Sequence, residues 1–398
     1  MISLAEALGH ITASRAEWGM ETVPLERSLG RVLAEDVVAD RDYPPFNRAT
    51  MDGFAVRADD LLRSPGEAYR VIGTLFAGDD TLFTLKAGDA VKIMTGAPVP
   101  ESADAVIKKE EADESGNVVR FHAAEFTRHQ NIARKGEDGR KDQPILANGV
   151  RIGAGHLAVL AAVGKSAVRV VRIPRVAVLS TGNELQPVTG TVAPHQIRDS
   201  NGWAIAGFLR RHAIEPMPTV IVRDTLDDLT RAIASAIDCD MLIMSGGVSA
   251  GDADLVPQAM TACGIRNVFH RVQIKPGKPL WFGTGPNGIA AFALPGNPFS
   301  VQTACRIFIE PYIRACMQLP PGQPLRLPLH EARKKKTAFD EFFPAAIVVN
   351  ETTHVAPLLY TTSGDITATV GSDGIALHPA GSGDLKMDET VELYLWNS

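Results

Sequence analysis

Hydrophobic positions along this chain change their spacing three times. Leu4, Leu8, Ile11 and Trp18 recur at helical intervals behind Ser3-Leu-Ala-Glu6, which has the form of a capping box, so the chain is predicted to open on an amphipathic helix. Between about residues 23 and 173 the apolar runs shorten, as at 90–94 and 105–107, and turn residues separate them. That stretch reads as β-rich, with Ser115-Gly-Asn117 as a hairpin turn. From about residue 174 to 318 strand-like and helical patterns alternate. Strands are predicted at 175–179, 219–222, 241–244 and 290–294, and helices at 201–212, 224–237, 253–263 and 298–316. Asp224 is expected to cap the second of these helices, with Asp227 as the acid of its third position. Strands alternating with helices of this length imply a parallel sheet with right-handed crossovers. Leu319-Pro-Pro-Gly-Gln-Pro324 is a linker, and residues 321–398 return to short strands and turns, a small β domain.

A length of 398 residues sets a prior of about two to four domains. With 45% hydrophobic and 22% charged residues the composition is globular, and a net charge of −6 argues against a general nucleic-acid binder. Cys239, Cys263, Cys305 and Cys316 include no C-x-x-C pair, which removes zinc-ligand spacing and reads as reduced, mostly buried thiols. The first residues carry neither a basic nor an apolar leader region, and the most apolar stretch, 154–171, is broken by His156, Gly164, Lys165 and Arg169. A cytoplasmic location without a membrane span is expected.

The candidate chemistry sits where the apolar runs stop. Ligands of open α/β sheets bind beyond the carboxyl ends of parallel strands. Here those ends lead into Ser180-Thr-Gly-Asn-Glu184, Arg223-Asp224, Ser245-Gly-Gly-Val-Ser-Ala-Gly-Asp252 and Pro295-Gly-Asn-Pro298. The glycines of the 245–251 loop free backbone N–H groups to face an anion, although a plain strand-to-helix turn would use the same residues. Lys275-Pro-Gly-Lys278 holds two ammonium groups on a stiff turn, suited to a phosphate or another oxyanion, or simply exposed. Asn297 and Pro298 suit a helix cap and first turn.

Asp52, Asp138, Glu184, Asp224 and Asp254 lie in or beside loops rich in Gly or Thr, where each alone reads as a cap or turn residue. Gathered beside an anion cradle they need a counter-charge, since each like-charge pair at ~4 Å costs about 4 kcal/mol at an effective dielectric of about 20. A bridging hard cation such as Mg²⁺, shared by carboxylates and phosphate oxygens, resolves this and points to metal-assisted phosphoryl chemistry. Two patterns are set aside. Gly283-Thr-Gly285-Pro-Asn-Gly288 matches a dinucleotide fingerprint but reads as a hairpin turn, and Arg333-Lys-Lys-Lys336 reads as a solvated edge.

Short segments, in order along nearly the whole chain, resemble the molybdopterin molybdenumtransferase family, the MoeA type also seen as the C-terminal domain of gephyrin. They are Ala49-Thr-Met-Asp-Gly-Phe-Ala55, Met94-Thr-Gly-Ala-Pro-Val-Pro100, Gly136-Glu-Asp138, Ser180-Thr-Gly-Asn-Glu-Leu185, Asp199-Ser-Asn201, Ser245-Gly-Gly-Val-Ser249, Lys275-Pro-Gly-Lys-Pro279 and Leu294-Pro-Gly-Asn-Pro298. The resemblance implies an α/β multidomain enzyme of molybdenum cofactor biosynthesis. Residues 1–45 and 140–173 would form an N-terminal helix and linking domain, 46–139 a β-rich domain, 174–320 the parallel-sheet molybdopterin-binding domain and 321–398 a C-terminal β barrel.

The reaction implied is insertion of molybdate into adenylylated molybdopterin with Mg²⁺-dependent release of AMP. By resemblance Thr181, Gly182, Ser245, Gly246, Gly247, Ser249, Pro295, Gly296, Asn297 and Pro298 would bind the pterin nucleotide, and Lys275 and Lys278 molybdate or phosphate. Asp52, Thr95, Asp138, Glu184, Asp224 and Asp254 would be catalytic, with Glu184 and Asp224 as metal ligands. A homodimer is implied, in which Asp52, Thr95 and Asp138 complete the partner's site. A molybdopterin adenylyltransferase and apo-molybdoenzymes are the other partners implied. The chain departs from the family pattern at Gly139, Asp142, Asn183 and Arg198, and Glu341-Phe-Phe-Pro344 lacks an arginine. The alternatives are a non-catalytic pterin- or cofactor-binding paralogue and a tungsten-handling homologue.

Overall fold

The computed structural model describes residues 1–64, 66–122, 126–248 and 255–397. The N-terminal helix runs Leu4–Ala13 and its capping box is closed: the Glu6 N–H donates to Ser3 Oγ at 3.2 Å and the Ser3 N–H to the Glu6 carboxylate at 2.8 Å. The helix stops before Trp18, which is buried edge-on to Tyr312 rather than extending the helical stripe. Met20–Pro24 then pairs with Ala167–Val171, and Val37–Val38 with Pro144–Leu146, around a core that includes Leu33, Ile152, Leu160 and Val170. Segments distant in sequence are thereby joined.

Between them lies a six-stranded sheet in the order Ala105–Lys108, Gly53–Val56, Asp89–Ile93, Ala68–Leu75, Val118–Phe121, Ala112–Ser115. The predicted hairpin is present: Ser115 pairs with Val118 across Gly116 and Asn117, and Gly116 takes φ 58°.

A second six-stranded sheet runs Val220–Val222, Val176–Thr181, Met241–Ser245, Ala290–Leu294, Trp281–Thr284, Arg266–His270. Its first four strands are parallel, as the alternation with helices predicts, and the last two are antiparallel additions. Every residue of Val176–Thr181, Met241–Ser245 and Ala290–Leu294 is buried, because both sheet faces are covered; this makes them read as unbroken apolar runs. Val178, Ile243 and Phe292 face one core with Leu209 and Tyr312, while Leu179, Leu242 and Ala291 face another with Leu229 and Val256. The dinucleotide-like glycines sit in the hairpin between Trp281–Thr284 and Ala290–Leu294, as read from the sequence.

The helices of this part are Asn201–Arg211, Leu226–Ser235, Leu255–Ala262 and a run from Pro298–Ala304 through a π turn, Cys305–Ile309, into Glu310–Cys316. Pro311 has no N–H to bond back along the helix, which accounts for the π turn ahead of it. One expectation is corrected. Asp224 does not cap its helix; Thr225 does, its hydroxyl accepting the Asp228 N–H at 3.2 Å, so Asp228 rather than Asp227 holds the third position.

In the C-terminal part Leu325–Pro328, Thr390–Leu395, Gly374–His378, Asp340–Val349 and Thr353–Pro357 follow one another, and a bridge between Leu329 and Val355 closes them into a small barrel filled by Phe343, Ala376 and Leu393. Ile274–Lys275 joins this sheet beside Asp340–Val349. The basic run is not a solvated edge throughout. Arg333 lies over the Phe343 ring at 4.1 Å, ion-paired at 2.5 Å to the fully buried Glu341. Cys239, Cys305 and Cys316 are buried and all four thiols are free. Among the described residues no helix is long and apolar enough to cross a membrane.

Glu310, through Arg306, ties the α/β part to the C-terminal sheet. Its carboxylate is 3.0 Å from Arg306, whose Nε donates to the Leu395 carbonyl, and 4.0 Å from His212. Burial first, and then Arg151, Arg211, Arg306 and Arg314, push the pKa of His212 from 6.5 down to about 3. The unfolded chain therefore binds a proton near pH 6.5 that the folded chain refuses, so this residue withdraws stability as pH falls below 6.5. Between pH 7 and 5 the wild type is expected to lose about 2 kcal/mol more than a His212→Asn variant, read as the difference in urea midpoints across pH. Parallel pH profiles for the two proteins would contradict this.

Candidate functional site

The parallel register sets the carboxyl ends of four strands side by side. Thr181 pairs with Val222, Ser180 with Ser245, and Ser245 with Leu294. The loops that follow therefore open on one rim, as the sequence pattern implies. Gly246 and Gly247 take φ 96° and 67°, and a Cβ on Gly246 would lie 2.3 Å from the Thr181 carbonyl oxygen. Only glycine lets this loop return so close to the neighbouring strand. The Gly246 N–H donates to the Leu294 carbonyl at 3.1 Å, which ties the loop to the third strand end.

Asn201 clasps the same rim. Its amide donates to Ser245 Oγ at 2.8 Å and to the Gly296 carbonyl at 2.7 Å, while its own Oδ1 is buried without a partner. Asp199, buried behind it, accepts from Ser180 Oγ and from the Gly202 N–H. Asn297, the cap of Pro298–Ala304, donates to Ser363 Oγ at 2.8 Å, and the Phe299 N–H bonds the Ser363 carbonyl. The barrel thus supplies a wall to this rim. Asn201 and Ser363 are functional candidates that the site reading omitted, although Asn201 lies in a quoted motif.

The acids on the rim are exposed and open. The Glu184 carboxylate curls over Gly182, with both oxygens 2.7 Å from where a Cβ would stand. Asp224 accepts from the Thr181 hydroxyl at 3.4 Å, and its N–H donates to Asn183 Oδ1 at 3.2 Å. Among the described residues no group of three His, Cys, Asp or Glu side chains could hold a cation unaided. Ser249 and Asp254 lie outside the described residues.

The remaining candidates lie elsewhere in the chain. Lys275 sits on the barrel edge, close enough to help lower the pKa of Glu341, whose largest influence is an opposing desolvation. Lys278 Nζ is 5.8 Å from the Phe339 ring centre. Asp52 accepts the N–H and hydroxyl of Thr95, both at 2.8 Å, with Lys109 at 3.7 Å. The Thr95 N–H, more than any other group, lowers the pKa of Asp52. Asp138 is exposed, its N–H bonded to the Tyr43 carbonyl. Among the described residues no hydrogen bond or ion pair joins Asp52, Thr95 or Asp138 to the α/β rim.

Aligned strand ends, a glycine-shaped loop and open carboxylates gather these candidate residues on one α/β rim. Two family profiles match: the MoeA N-terminal region (domain I and II) over residues 2–164, and the probable molybdopterin binding domain over residues 177–315. The molybdopterin molybdenumtransferase of Staphylococcus epidermidis is 31% identical over 404 residues, covering 100% of this chain and 96% of that protein. Its Staphylococcus aureus counterpart is 31% identical over 405 residues with the same coverage. Among solved structures, a molybdopterin biosynthesis MoeA protein from Pyrococcus horikoshii aligns over 100% of both chains at 32% identity and TM-score 0.80. A second, from Pyrococcus horikoshii OT3, aligns over 99% of this chain and 100% of its own at 25% identity and TM-score 0.84. The chain belongs to the MoeA-type molybdopterin molybdenumtransferase family.

Proposed function

We propose that this chain inserts molybdenum into molybdopterin, taking molybdate and adenylylated molybdopterin and releasing AMP. The observation that carries the reading is the rim itself. Asn201 clasps the end of strand 241–245 to the loop after 290–294, beside the left-handed glycines that leave the first of them. With the Gly246 N–H taken by the Leu294 carbonyl, the Gly247 N–H would hold a phosphate oxygen. Lys275 and Lys278 would bring molybdate to the barrel side of the rim.

Glu184 and Asp224 fit Mg²⁺: both are exposed carboxylates at neighbouring strand ends, and this ion is commonly held by one or two carboxylates together with substrate phosphates. Bound there, it would neutralise the phosphoanhydride oxygens as AMP departs. Asp52, Thr95 and Asp138 would act from the partner copy in a cytoplasmic homodimer. The domain division is 1–45 with 140–173, then 46–139, 174–320 and 321–398. The chain would receive its substrate from a molybdopterin adenylyltransferase and pass its product to apo-molybdoenzymes.

The test is AMP release from purified protein given adenylylated molybdopterin and Mg²⁺, with molybdate, tungstate or neither. Molybdate-stimulated release is the expected result. Tight binding without release under any condition would replace this reading by a non-catalytic binder, and a preference for tungstate would change the metal.

A further inference from the structure

Away from the rim, the α/β part meets its neighbours at a junction rich in arginine. Arg151, Arg211, Arg306 and Arg314 all act electrostatically on the buried Glu310, and all four help to keep His212 neutral. Four guanidiniums thus share one carboxylate, and the excess positive charge favours an anion. Three of them are committed. Arg306 pairs with Glu310 and donates to the Leu395 carbonyl, Arg314 donates to the Pro320 carbonyl and Arg151 to the Gly30 carbonyl. Arg211 is left over. Among the described residues its guanidinium has no hydrogen-bond or ion-pair partner. Burial lowers its pKa, and Glu310 opposes this only at longer range.

A cavity of about 210 Å³ opens beside it. Ala204, Phe208 and Arg211 line it from one face of the helix Asn201–Arg211, and Gln302 from the helix Pro298–Ala304. Thr369 and Trp396 close it from the C-terminal part. These walls are held in place. The Phe208 ring lies 4.8 Å from that of His212, centre to centre, and the Trp396 Nε1–H donates to Ser372 Oγ at 2.8 Å. Gln302 Oε1 accepts the Thr369 hydroxyl at 2.7 Å, and among the described residues the Gln302 amide N–H groups have no partner. Arg211 closes the helix that Asn201 opens, about 15 Å away along its axis, and no rim candidate lines the cavity. A guanidinium fork and an amide N–H beside two aromatic rings suit a planar carboxylate. The volume is below that of a drug-sized pocket, which limits the ligand to about one ring.

We propose that this cavity binds a small aromatic carboxylate, its anionic group on Arg211 and Gln302 and its ring against Phe208 and Trp396. The site uses none of the transferase candidates and does not depend on that reading.

The experiment is calorimetry on the whole protein with benzoate, benzamide and phosphate, at low and high salt. The wild type is expected to bind one benzoate per chain with a Kd of about 0.1–1 mM, weakening as salt rises. Benzamide has the ring without the charge and phosphate the charge without the ring, so each should bind at least about tenfold more weakly. Arg211→Gln is expected to lower benzoate affinity about tenfold or more at an unchanged melting temperature, since this exposed side chain has no partner to lose. Arg211→Lys keeps the charge but not the fork and should lose less. Arg231→Gln, which removes an exposed cation on another helix, should bind benzoate like the wild type. Added AMP should leave benzoate binding unchanged. The proposal is overturned by no benzoate binding at about 10 mM, or by benzamide or phosphate binding as tightly as benzoate. It is equally overturned by unaltered affinity in Arg211→Gln, by the same loss in Arg231→Gln, or by displacement of benzoate by AMP. A failed AMP-release assay would leave these results standing, so the two readings fail separately.

Discussion

Glu184→Gln is expected to slow AMP release by about 10²- to 10³-fold while changing affinity for the pterin nucleotide by less than about threefold. Among the described residues the Glu184 side chain makes no hydrogen bond or ion pair; its carboxylate is simply folded over Gly182 at the end of Val176–Thr181. Glutamine keeps the shape and removes the charge, so neither the rim nor the stability of the fold should change. On the proposed reading, what is lost is a carboxylate that would hold Mg²⁺ against the phosphoanhydride oxygens. Single-turnover AMP release and equilibrium binding separate the two effects. Equal losses in both would make Glu184 a binding residue, and unchanged turnover would remove it from the mechanism. One further arm tests the shared site. A chain carrying Asp52→Asn mixed with one carrying Glu184→Gln should recover about one working site per verified heterodimer, because one interface then holds both intact acids. No recovery would place Asp52 outside the partner's site.

The parts of this site that were legible in the sequence are those made by neighbours in sequence. A strand buried on both faces must be apolar throughout, and a loop turning back on it needs glycine, so Val176–Thr181, Met241–Ser245 and Gly246 declare themselves. Asp142, one of the departures from the family pattern, takes φ 64°, a conformation that aspartate tolerates better than most residues. Contacts made only on folding were not legible. Asn201 reaches Gly296 only because parallel pairing aligns the two strand ends, and Ser363 comes from the barrel. Arg333 looked solvated within its basic run because the buried Glu341 that claims it belongs to a strand whose partners are set by the barrel. Arg266–His270 went unread as a strand because only Val268 and Phe269 in it are apolar. Asp224 was read as a cap from its position before an acidic first turn, but Thr225, one residue later, completes that turn and leaves the aspartate on the rim.

Gly246→Ala is expected to weaken pterin-nucleotide binding by about 100-fold while lowering the melting temperature by only about 2–6 °C. The new Cβ would lie 2.3 Å from the Thr181 carbonyl oxygen, a backbone atom inside the sheet that cannot swing aside. The residue also sits at φ 96°, where a side chain adds about 1–3 kcal/mol of strain. The loop must therefore lift from the strand end, breaking the bond from the Gly246 N–H to the Leu294 carbonyl and turning its N–H groups away from the rim. Loss of the bond that the Gly247 N–H would make to a charged phosphate oxygen, at about 3 kcal/mol, gives the 100-fold figure. The loop lies at the surface end of a sheet whose core stays filled, so the global loss is small by comparison. Gly296→Ala is the contrast on the same rim. Its Cβ would meet nothing nearer than Gly246 Cα, at 3.7 Å, and its backbone needs no left-handed φ, so less than about a tenfold loss is expected. Calorimetry with the nucleotide and thermal melts on both variants decide the matter. If Gly246→Ala stays folded and binds like wild type, the 245–247 loop is not the phosphate cradle. If both alanines weaken binding equally, the cause is crowding of the rim rather than the backbone shape that glycine permits.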